Sequence, residues 1–323
     1  MNNVLLTGGA GYIGSITTQM LIELGFNVIV IDNLVEGNKK AVNKEAKLII
    51  GNYGDSDVLN KIFSQNRIDA VLHFAASANV PDSVANPLDY YQNNVANLIT
   101  LLKTMGYYGV KNIIFSSTAA VYGEPNFIPI VEDHPTLPVN PYGYSKLFCE
   151  RIIKDFSKSV DKFRYINFRY FCAAGATKKQ GESRLKETHL IPLIIDCLLD
   201  NKKTLNVFGS SFPTIDGSGV RDYVHVVDIA SAHILALRNL NKIYNREFNL
   251  GTNSGYSVLQ LKSLSEKIFK RKIKYQIVDP RPGDPAVLVA SNLSFFKSYN
   301  YLPRYDIKGI LKSAYLWRKN PLY

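Results

Sequence analysis

The sequence predicts an α/β protein built on a parallel β-sheet that helices cover on both faces. Through the first 170 residues, short apolar runs alternate with stretches of helical periodicity. That alternation is typical of β-α-β units, in which each helix returns the chain to the next parallel strand. The predicted strands are Val4–Thr7, Val28–Asp32, Lys47–Ile50, Ala70–Phe74, Asn112–Ser116 and Arg164–Phe168, and the predicted helices include Ser15–Leu24, Asp57–Asn66, Tyr90–Met105 and Tyr142–Ser157.

The pattern loosens after residue 171, where glycine, proline and aspartate become frequent, as in 209–219 and 279–285. Shorter strands and helices follow, including a helix over Val258–Phe269. Loops mounted on a rigid sheet usually carry specificity. We therefore predict a sheet domain over residues 1–170 and a smaller α/β substrate-binding lobe over 171–323, from which some segments return to the first domain.

Composition excludes several classes of protein. With 46% hydrophobic and 20% charged residues, the chain is too apolar for disorder, and no apolar run reaches the roughly 18 residues of a membrane helix. The net charge of +11 comes without a nucleic-acid-binding motif, so we interpret it as a lysine-rich surface and expect neither a nucleic-acid nor a membrane partner.

Cysteine and histidine usage argues against a metal site. The three cysteines, Cys149, Cys172 and Cys197, and the five histidines lack the spacing of metal ligands or of a redox pair. The N-terminus leads directly into a strand without a basic leader. We expect free thiols, no metal and a cytoplasmic protein.

A glycine-rich loop joins the first predicted strand to the first helix. Gly8, Gly11 and Gly14 form a Gly-x-x-Gly-x-x-Gly pattern, a variant of the Rossmann loop in which the backbone approaches a pyrophosphate and the helix N-terminus faces the anion. The second strand ends in Asp32, whose carboxylate can bind ribose hydroxyls and would repel a 2′-phosphate. Residues 1–170 are therefore predicted to be a Rossmann-type, doubly wound domain that binds NAD rather than NADP.

Tyr-x-x-x-Lys, a pattern of NAD-dependent oxidoreductases, occurs three times, with its tyrosine at 107, 142 and 315. Tyr142 follows a proline at the start of a predicted helix, so Tyr142 and Lys146 share one helix face. A neighbouring ammonium favours the phenolate, which can then accept a proton from a substrate hydroxyl near neutral pH. Tyr142 is the candidate base. Ser117 or Thr118, beyond a strand's carboxyl end, could orient the reacting hydroxyl.

Eight motifs occur in an order that resembles one family. They are Thr7–Gly14, Asp32–Leu34, His73–Ala76, Ser116–Thr118, Tyr142 with Lys146, Arg169–Phe171, Gly219–Val226 and Arg281–Asp284. Together they resemble the UDP-glucose 4-epimerase family, whose members are nucleotide-sugar epimerases of the extended short-chain dehydrogenase class. The resemblance runs from about residue 3 to the C-terminus.

The resemblance implies an isomerase of galactose metabolism that interconverts UDP-glucose and UDP-galactose. Tyr142 would remove the proton from the hydroxyl on carbon 4 while hydride passes to tightly bound NAD. The transient 4-keto sugar would then rotate, and hydride would return to its opposite face. Lys146 would lower the pKa of Tyr142 and hold the nicotinamide ribose, and Thr118 would bind the sugar.

The same matching implies the remaining site residues and a homodimer formed through helices that flank the sheet. The NAD site would comprise Gly8, Gly11, Tyr12, Ile13, Gly14, Asp32, Asn33, Asn52, Phe74, Ala75, Ala76, Asn93, Tyr142, Lys146 and Phe171. The UDP-sugar site would comprise Thr118, Tyr142, Phe171, Cys172, His189, Leu190, Arg221, Arg281 and Asp284.

Some positions depart from the family pattern. Cys172 replaces an asparagine that contacts the diphosphate, Asn52 replaces an aspartate beside adenine, and Ala78 stands where some members carry lysine. Arg184 and Leu185 replace a more usual Ser-His-like stretch. These differences bear more on substrate identity than on reaction class.

Other activities stay open on the sequence. One alternative is 4-epimerisation of another UDP-sugar, such as an N-acetylhexosamine, a uronic acid or a pentose, because Leu288, at a position that tunes pocket size, is intermediate in bulk. A second is an inactive NAD-binding regulatory protein, against which the intact Tyr142 and Lys146 argue. A 4,6-dehydratase is disfavoured because Ala119 and Ala120 offer no acid or base beside Thr118.

Overall fold

The chain divides into two compact units. The computed structural model describes residues 1–184, 187–281 and 283–323. Unit 1 comprises Met1–Gly123, Thr136–Tyr170 and Ala230–Phe248, and unit 2 comprises Glu124–Pro135, Phe171–Ile229 and Asn249–Tyr323. The assignment of one domain to NAD and the other to substrate stays a prediction.

Strands and helices are numbered in chain order. The strands are β1 (Asn3–Thr7), β2 (Asn27–Asp32), β3 (Lys47–Ile50), β4 (Ala70–His73), β5 (Asn112–Thr118), β6 (Arg164–Tyr170), β7 (Cys172–Ala174), β8 (Leu205–Phe208), β9 (Val220–His225), β10 (Arg246–Leu250), β11 (Gly255–Ser257), β12 (Tyr275–Val278) and β13 (Val287–Leu288). The helices are α1 (Tyr12–Glu23), α2 (Ser56–Gln65), α3 (Val80–Ala85), α4 (Pro87–Tyr90), α5 (Asn97–Tyr107), α6 (Pro141–Ser159), α7 (Leu190–Leu199), α8 (Val226–Asn239), α9 (Val258–Phe269), α10 (Leu293–Tyr299) and α11 (Ile307–Lys319).

Unit 1 contains a seven-stranded sheet with the strand order β10-β6-β5-β4-β1-β2-β3. Neighbouring strands from β1 to β6 pair in parallel. The chain runs outward from β1 to β3 and then returns to the other side of β1 at β4. The carboxyl ends of β1 and β4 therefore flank the point where the order reverses, which is where open α/β sheets bind ligands. The predicted Rossmann-type fold class is confirmed.

Alternating apolar residues bury both faces of this sheet. Leu5, Val71 and Ile113 pack with residues of α2, α5 and α6 in one core. Their neighbours Leu6 and Leu72 are equally buried. Side chains alternate along a strand, so these neighbours point to the opposite face. Burial on both faces explains why the strands read as nearly continuous apolar runs.

Two helical predictions are refined. The predicted helix Tyr90–Met105 is realised as α4, a π-helical segment over Tyr91–Ala96, and α5. The predicted Tyr142 helix begins one residue earlier, at Pro141, where the Asn140 side chain accepts a hydrogen bond from the amide of Gly143 at 2.9 Å. In the described part of the chain, no helix has both the length and the apolar character that crossing a membrane requires.

Unit 2 is organised around β9, which pairs with β11, β13 and β7. A separate parallel pair joins β8 to β12. Ile191 and Ile194 of α7 pack with Leu261 of α9 and with Ile310 and Leu311 of α11 in its core. The predicted helix Val258–Phe269 is confirmed with the same bounds, and its N-terminus carries a capping box formed by Ser257 and Gln260.

Candidate active site

The glycine loop packs tightly against the segment that follows β4. Gly8 has a φ of +71°, and a Cβ on it would lie 2.6 Å from the backbone nitrogen of Ala75. A Cβ on Gly14 would collide with the carbonyl oxygen of Gly8. Helix α1 starts at Tyr12, and its N-cap, Gly11, offers no side chain to cap the first turn. A helix N-terminus without a side-chain cap is a common binding site for an anion.

Asp32 is held at the end of β2 by backbone amides. Its Oδ2 accepts a hydrogen bond from the amide of Ala10 and its Oδ1 one from the amide of Leu34, both at 2.9 Å. Each carboxylate oxygen retains further acceptor capacity, which suits ribose hydroxyls. Asn33, the next residue, is exposed. The tight glycine backbone, the uncapped helix and this carboxylate fit a dinucleotide with an unphosphorylated ribose.

The other predicted NAD-site residues of unit 1 lie on loops and helices that follow the strands. Phe74, Ala75 and Ala76 follow β4, and Ile13 lies in the first turn of α1. Asn52 is exposed, and its Oδ1 accepts hydrogen bonds from the amide of Gly54 at 2.8 Å and from Asn97 Nδ2 at 3.2 Å.

Asn93 lies in the π-helical segment, where its Nδ2 donates to Ser77 Oγ at 3.1 Å. Such segments recur at functional sites.

Lys146, one of the candidate catalytic residues, is buried. Its Nζ donates to the carbonyl oxygen of Ser116 at 2.7 Å and lies 4.7 Å from the centroid of the Phe115 ring. Burial lowers the pKa of Lys146 to about 8, whereas the neighbouring groups of Cys149 and Glu150 raise it. The ammonium is therefore hydrogen-bonded to the backbone of β5, two residues before Thr118.

The start of α6 fits closely against the turn after β5. A Cβ on Gly143 would lie 2.6 Å from the carbonyl oxygen of Ala120, so only glycine permits this approach. Half-buried Tyr142 precedes that glycine, and Thr118 ends β5 with its Oγ1 accepting the amide of Ala120 at 3.2 Å. The structure thus gathers Tyr142, Lys146 and Thr118 where α6 meets β5.

The other two Tyr-x-x-x-Lys patterns lie in different settings. Tyr107 is the last residue of α5, with its side chain 83% exposed, and Lys111 lies beyond that helix. Tyr315 and Lys319 share α11 in unit 2, where the Tyr315 ring stacks on Phe269 at 4.3 Å between centroids. Within the described structure, the pattern beginning at Tyr142 has its tyrosine and lysine on one helix of the unit that holds the glycine loop.

Unit 2 brings two of the predicted substrate residues together. An Nη of Arg221 pairs with Asp284 Oδ1, and its other Nη donates to the carbonyl oxygen of Val220 at 2.8 Å. Among the described residues, its ion-pair partner is Asp284 and not Asp216 or Asp222, which are nearer in sequence. The Asp222 carboxylate instead accepts hydrogen bonds from backbone amides and from the hydroxyl of Thr252.

The Arg281 guanidinium lies on an aromatic ring. Its Cζ stands 3.9 Å from the centroid of Phe208, the last residue of β8. Such stacking holds an arginine in place while leaving its donors available. Phe208 was missed from the sequence because an aromatic residue at a strand end has no distinctive signal. Pro282, within the same motif, lies outside the described residues.

Phe171 and Cys172 begin the second segment of unit 2. Phe171 is buried, and its amide donates to the carbonyl oxygen of Leu250 at 3.1 Å. Burial raises the pKa of the Cys172 thiol to about 11, although nearby Arg221 opposes this rise. Cys172 therefore stays an uncharged thiol at neutral pH.

His189 is the N-cap residue of α7, and Leu190 is the first residue of that helix. Its Nδ1 lies 2.6 Å from Oε1 of buried Glu182. Glu182, Glu187 and His189 together place three potential metal ligands within 4.8 Å of one another. Arg184 Nε, however, pairs with Glu182 at 3.0 Å. We therefore interpret the group as an ion-pair cluster. Leu185, the second residue of the departing stretch, lies outside the described residues.

A buried ion pair near Lys146 was also not predicted from the sequence. Glu150 and Arg169 form a two-pronged ion pair, with 2.7 Å between Arg169 Nη2 and Glu150 Oε2. Arg169 belongs to a motif that carried the resemblance, but no role was given to it. The signal that could have found the pair is the position of Glu150, one helical turn after Lys146 on the same face.

The fold and this site define an NAD-dependent enzyme of the Rossmann type. The model of the NAD dependent epimerase/dehydratase family matches residues 4–251, and the chain belongs to that family. The UDP-glucose 4-epimerase of Lacticaseibacillus casei is 42% identical over 323 residues, which cover 98% of this chain and 97% of the relative.

Solved structures agree with this assignment. The UDP-glucose 4-epimerase from Bifidobacterium longum in complex with NAD+ and UDP matches with a TM-score of 0.94 and 36% identity, covering 99% of each chain. The UDP-Glc/GlcNAc 4-epimerase from Campylobacter jejuni matches with a TM-score of 0.85, also at 36% identity and 99% coverage of each chain. The predicted resemblance, enzyme class and NAD dependence are confirmed, and the roles of individual residues stay predictions.

Proposed function

We propose that this enzyme epimerises carbon 4 of a UDP-hexose and interconverts UDP-glucose and UDP-galactose. The observation that carries the proposal is the junction of α6 with β5. There the Tyr142–Lys146 helix face adjoins Thr118 in the unit that also holds the glycine loop. The Lacticaseibacillus casei relative bears the name of this activity and is aligned along nearly its full length.

Tyr142 acts as the base in the proposed reaction. The buried Lys146 ammonium favours the phenolate of its helical neighbour, which then accepts the proton from the hydroxyl on carbon 4. Thr118 orients that hydroxyl through a hydrogen bond. Bound NAD supplies a hydride acceptor and donor at the same carbon. Because Tyr142 retains the proton, it can return it once the sugar presents its other face.

Binding of NAD is assigned to the loop residues of unit 1. The first-turn amides of α1 bind the pyrophosphate, with Tyr12 and Ile13 beside it, and Asp32 and Asn33 bind the adenosine ribose. Asn52 lies against adenine. Phe74, Ala75, Ala76 and Asn93 line the remainder of the site in unit 1.

Binding of the UDP moiety is assigned to unit 2. Arg221 and Arg281 present forked donors to the diphosphate. Asp284 binds ribose hydroxyls, while Cys172, His189 and Leu190 complete the surroundings of the nucleotide. The ion pair of Arg221 with Asp284 supports this assignment, since it places the guanidinium and the carboxylate side by side.

Tolerance of other UDP-sugars is the alternative. The Campylobacter jejuni neighbour is described as a UDP-Glc/GlcNAc 4-epimerase. In this chain Leu288 lies on β13, paired in register with Arg221. Because this leucine beside the arginine is intermediate in bulk, a second class of UDP-sugar is a candidate substrate to be tested.

A panel of UDP-sugars tests the proposal directly. Purified enzyme is incubated with UDP-glucose, UDP-N-acetylglucosamine, UDP-glucuronate and UDP-xylose, and the products are separated by chromatography. The expected result is fastest conversion of UDP-glucose to UDP-galactose. Faster conversion of another sugar would transfer the assignment to that substrate, and no conversion of any would refute the activity.

We also propose that the enzyme is a homodimer. An open, mainly apolar groove on unit 1 is lined by Leu88, Asp89, Tyr91, Gln92, Val95, Ala96, Ile99 and Phe148. Leu88 is 78% exposed and Phe148 is 46% exposed, and apolar exposure of this kind favours association with a second copy. Phe148→Glu is expected to give a monomer in sedimentation velocity, whereas Ile215→Glu, at an 87% exposed site of unit 2, leaves the dimer intact. A monomeric parent protein would refute the proposal.

A cytoplasmic location is proposed as well. The three cysteines are free, and Cys149 and Cys197 are buried, which suits a reducing compartment. Alkylation in freshly lysed cells is expected to find all of them reduced, and an intermolecular disulfide would contradict this.

A further inference from the structure

We propose that Glu150 and Arg169 are positioning residues for the reaction, since their ion pair locks the helix that carries Tyr142 and Lys146 to the strand end that carries Thr118. The proposal rests on the proposed function. Neither residue is assigned contact with substrate or NAD, so the pair would act through its neighbours.

The ion pair is buried and has the geometry of a fork. Arg169 Nε donates to Glu150 Oε1 at 3.0 Å, and Arg169 Nη2 donates to Glu150 Oε2 at 2.7 Å. The two side chains are 7% and 5% exposed, respectively. Two parallel charge-assisted hydrogen bonds fix orientation as well as distance. A buried pair of this kind specifies one arrangement of the elements that carry it.

Each member of the pair also bonds to a residue that lies shortly before or after Thr118 in the sequence. Ser117 Oγ donates to Glu150 Oε1 immediately before Thr118. After Thr118, the 3-10 turn Ala119–Val121 leads to Tyr122, which is fully buried and accepts a hydrogen bond from Arg169 Nη1 at 3.0 Å. The residue that would orient the sugar hydroxyl is thus held from both directions.

The pair connects three elements of unit 1. Glu150 lies one turn after Lys146 and two turns after Tyr142 on α6, so the three share a helix face. Arg169 lies on β6, directly opposite Ser117 in the register with β5. A shift of α6 relative to β5 would therefore have to break the fork, and the same shift would alter the separation of Tyr142 from Thr118.

Glu150 also supplies charge near Lys146. The titratable groups that face Lys146 are Tyr142, Cys149 and Glu150 on its own helix and His73 on β4. Burial raises the pKa of Cys149 to about 12 and lowers that of His73 to about 3, so both stay neutral near pH 7. Before Tyr142 becomes a phenolate, the Glu150 carboxylate is therefore the group among these whose charge favours the Lys146 ammonium.

Two variants separate charge from structure. Glu150→Gln removes the negative charge and leaves Arg169 unpaired. The double variant Glu150→Gln with Arg169→Gln removes both charges, so no buried charge lacks a partner and the fold is preserved. Glu266→Gln is the matched control, because Glu266 forms a partly buried ion pair with Lys262 on α9 of unit 2.

The experiment measures kcat, KM and the pH dependence of kcat for UDP-glucose epimerisation, per mole of folded, NAD-loaded enzyme. Both variants are expected to lose kcat by on the order of 100-fold with little change in KM, as for a displaced catalytic group. In Glu150→Gln, the alkaline limb of the profile moves to lower pH, since Lys146 loses its proton more readily. The control keeps kcat and the profile of the parent.

If the double variant folds and has the kcat and pH profile of the parent, the inference is overturned. This result is sufficient even if Glu150→Gln fails to fold. Failure of the double variant to fold under conditions where the control folds would also overturn it, because the pair would then be a requirement of the fold itself. An inactive parent enzyme would instead refute the proposed function.

Discussion

Units 1 and 2 hold their predicted site residues in different ways. In unit 1, Asp32, Thr118 and Lys146 each bond to backbone atoms of the sheet and its loops. In unit 2, Arg221 pairs with an aspartate side chain besides its bond to the carbonyl oxygen of Val220, and Arg281 lies on a phenyl ring. Backbone contacts preorganise the groups of unit 1, as catalysis requires. Side-chain partners can be exchanged for a ligand, which suits binding and release.

The largest expected effect tests the preorganised region. Tyr142→Phe removes the proposed base and keeps the ring, so turnover of UDP-glucose should fall by on the order of 10²–10⁴-fold while NAD stays bound. Turnover is followed by coupled assay, and bound NAD is released and quantified after denaturation. The matched control is Tyr315→Phe, which alters another Tyr-x-x-x-Lys pattern but preserves the stacking on Phe269. Equal activity of the two variants would remove Tyr142 from the mechanism.

The second test concerns the backbone of the glycine loop. Gly8 and Gly25 both have positive φ, at 71° and 81°. A Cβ on Gly8 meets the chain after β4, whereas a Cβ on Gly25 meets nothing within 4 Å. Gly8→Ala should therefore lose NAD from the purified protein.

Gly25→Ala, the control, should cost only about 1–2 kcal/mol of stability for the left-handed conformation and retain its NAD. Calorimetry and NAD content measure the two effects. Retention of NAD by Gly8→Ala would show that the loop tolerates displacement and does not set the cofactor site.

A third, smaller effect is expected in unit 2. Arg221→Gln removes the forked cation and should raise the KM for UDP-glucose about 10- to 100-fold, because a hydrogen bond from a charged group contributes about 1.5–3 kcal/mol. Steady-state kinetics at saturating NAD measure this, and kcat should change less than KM. Arg151→Gln serves as control, because the Arg151 side chain is 70% exposed in its pair with Asp155. A fall in kcat alone would place Arg221 with the catalytic residues instead.

The difference between the units also explains what the sequence could predict. Strands such as β1 and β5 are buried on both faces, so their apolar runs are continuous and easily recognised. The glycine loop and the Tyr142–Lys146 spacing are short local patterns. Both kinds of signal come from residues close together in the chain, and unit 1 was therefore predicted in detail.

Contacts between distant segments could not be predicted in this way. Arg221 and Asp284 stand 63 positions apart, and Glu150 and Arg169 belong to different elements that only the folded sheet aligns. Asp216 and Asp222 are both nearer to Arg221 in sequence than Asp284 is. Backbone amides occupy Asp222 instead, and this occupation has no sequence signature.

The smallest expected effect concerns Cys172, where the family usually has asparagine. Its neutral thiol is a weak donor, and an amide N–H would add one hydrogen bond to a diphosphate. Cys172→Asn should therefore lower the KM for UDP-glucose by about fivefold, equivalent to about 1 kcal/mol. Cys172→Ala controls for loss of the thiol and should keep KM within about twofold. If Cys172→Asn raised KM, the exchangeable groups of unit 2 would be adapted to the thiol, and Cys172 would then be a determinant of substrate choice in this enzyme.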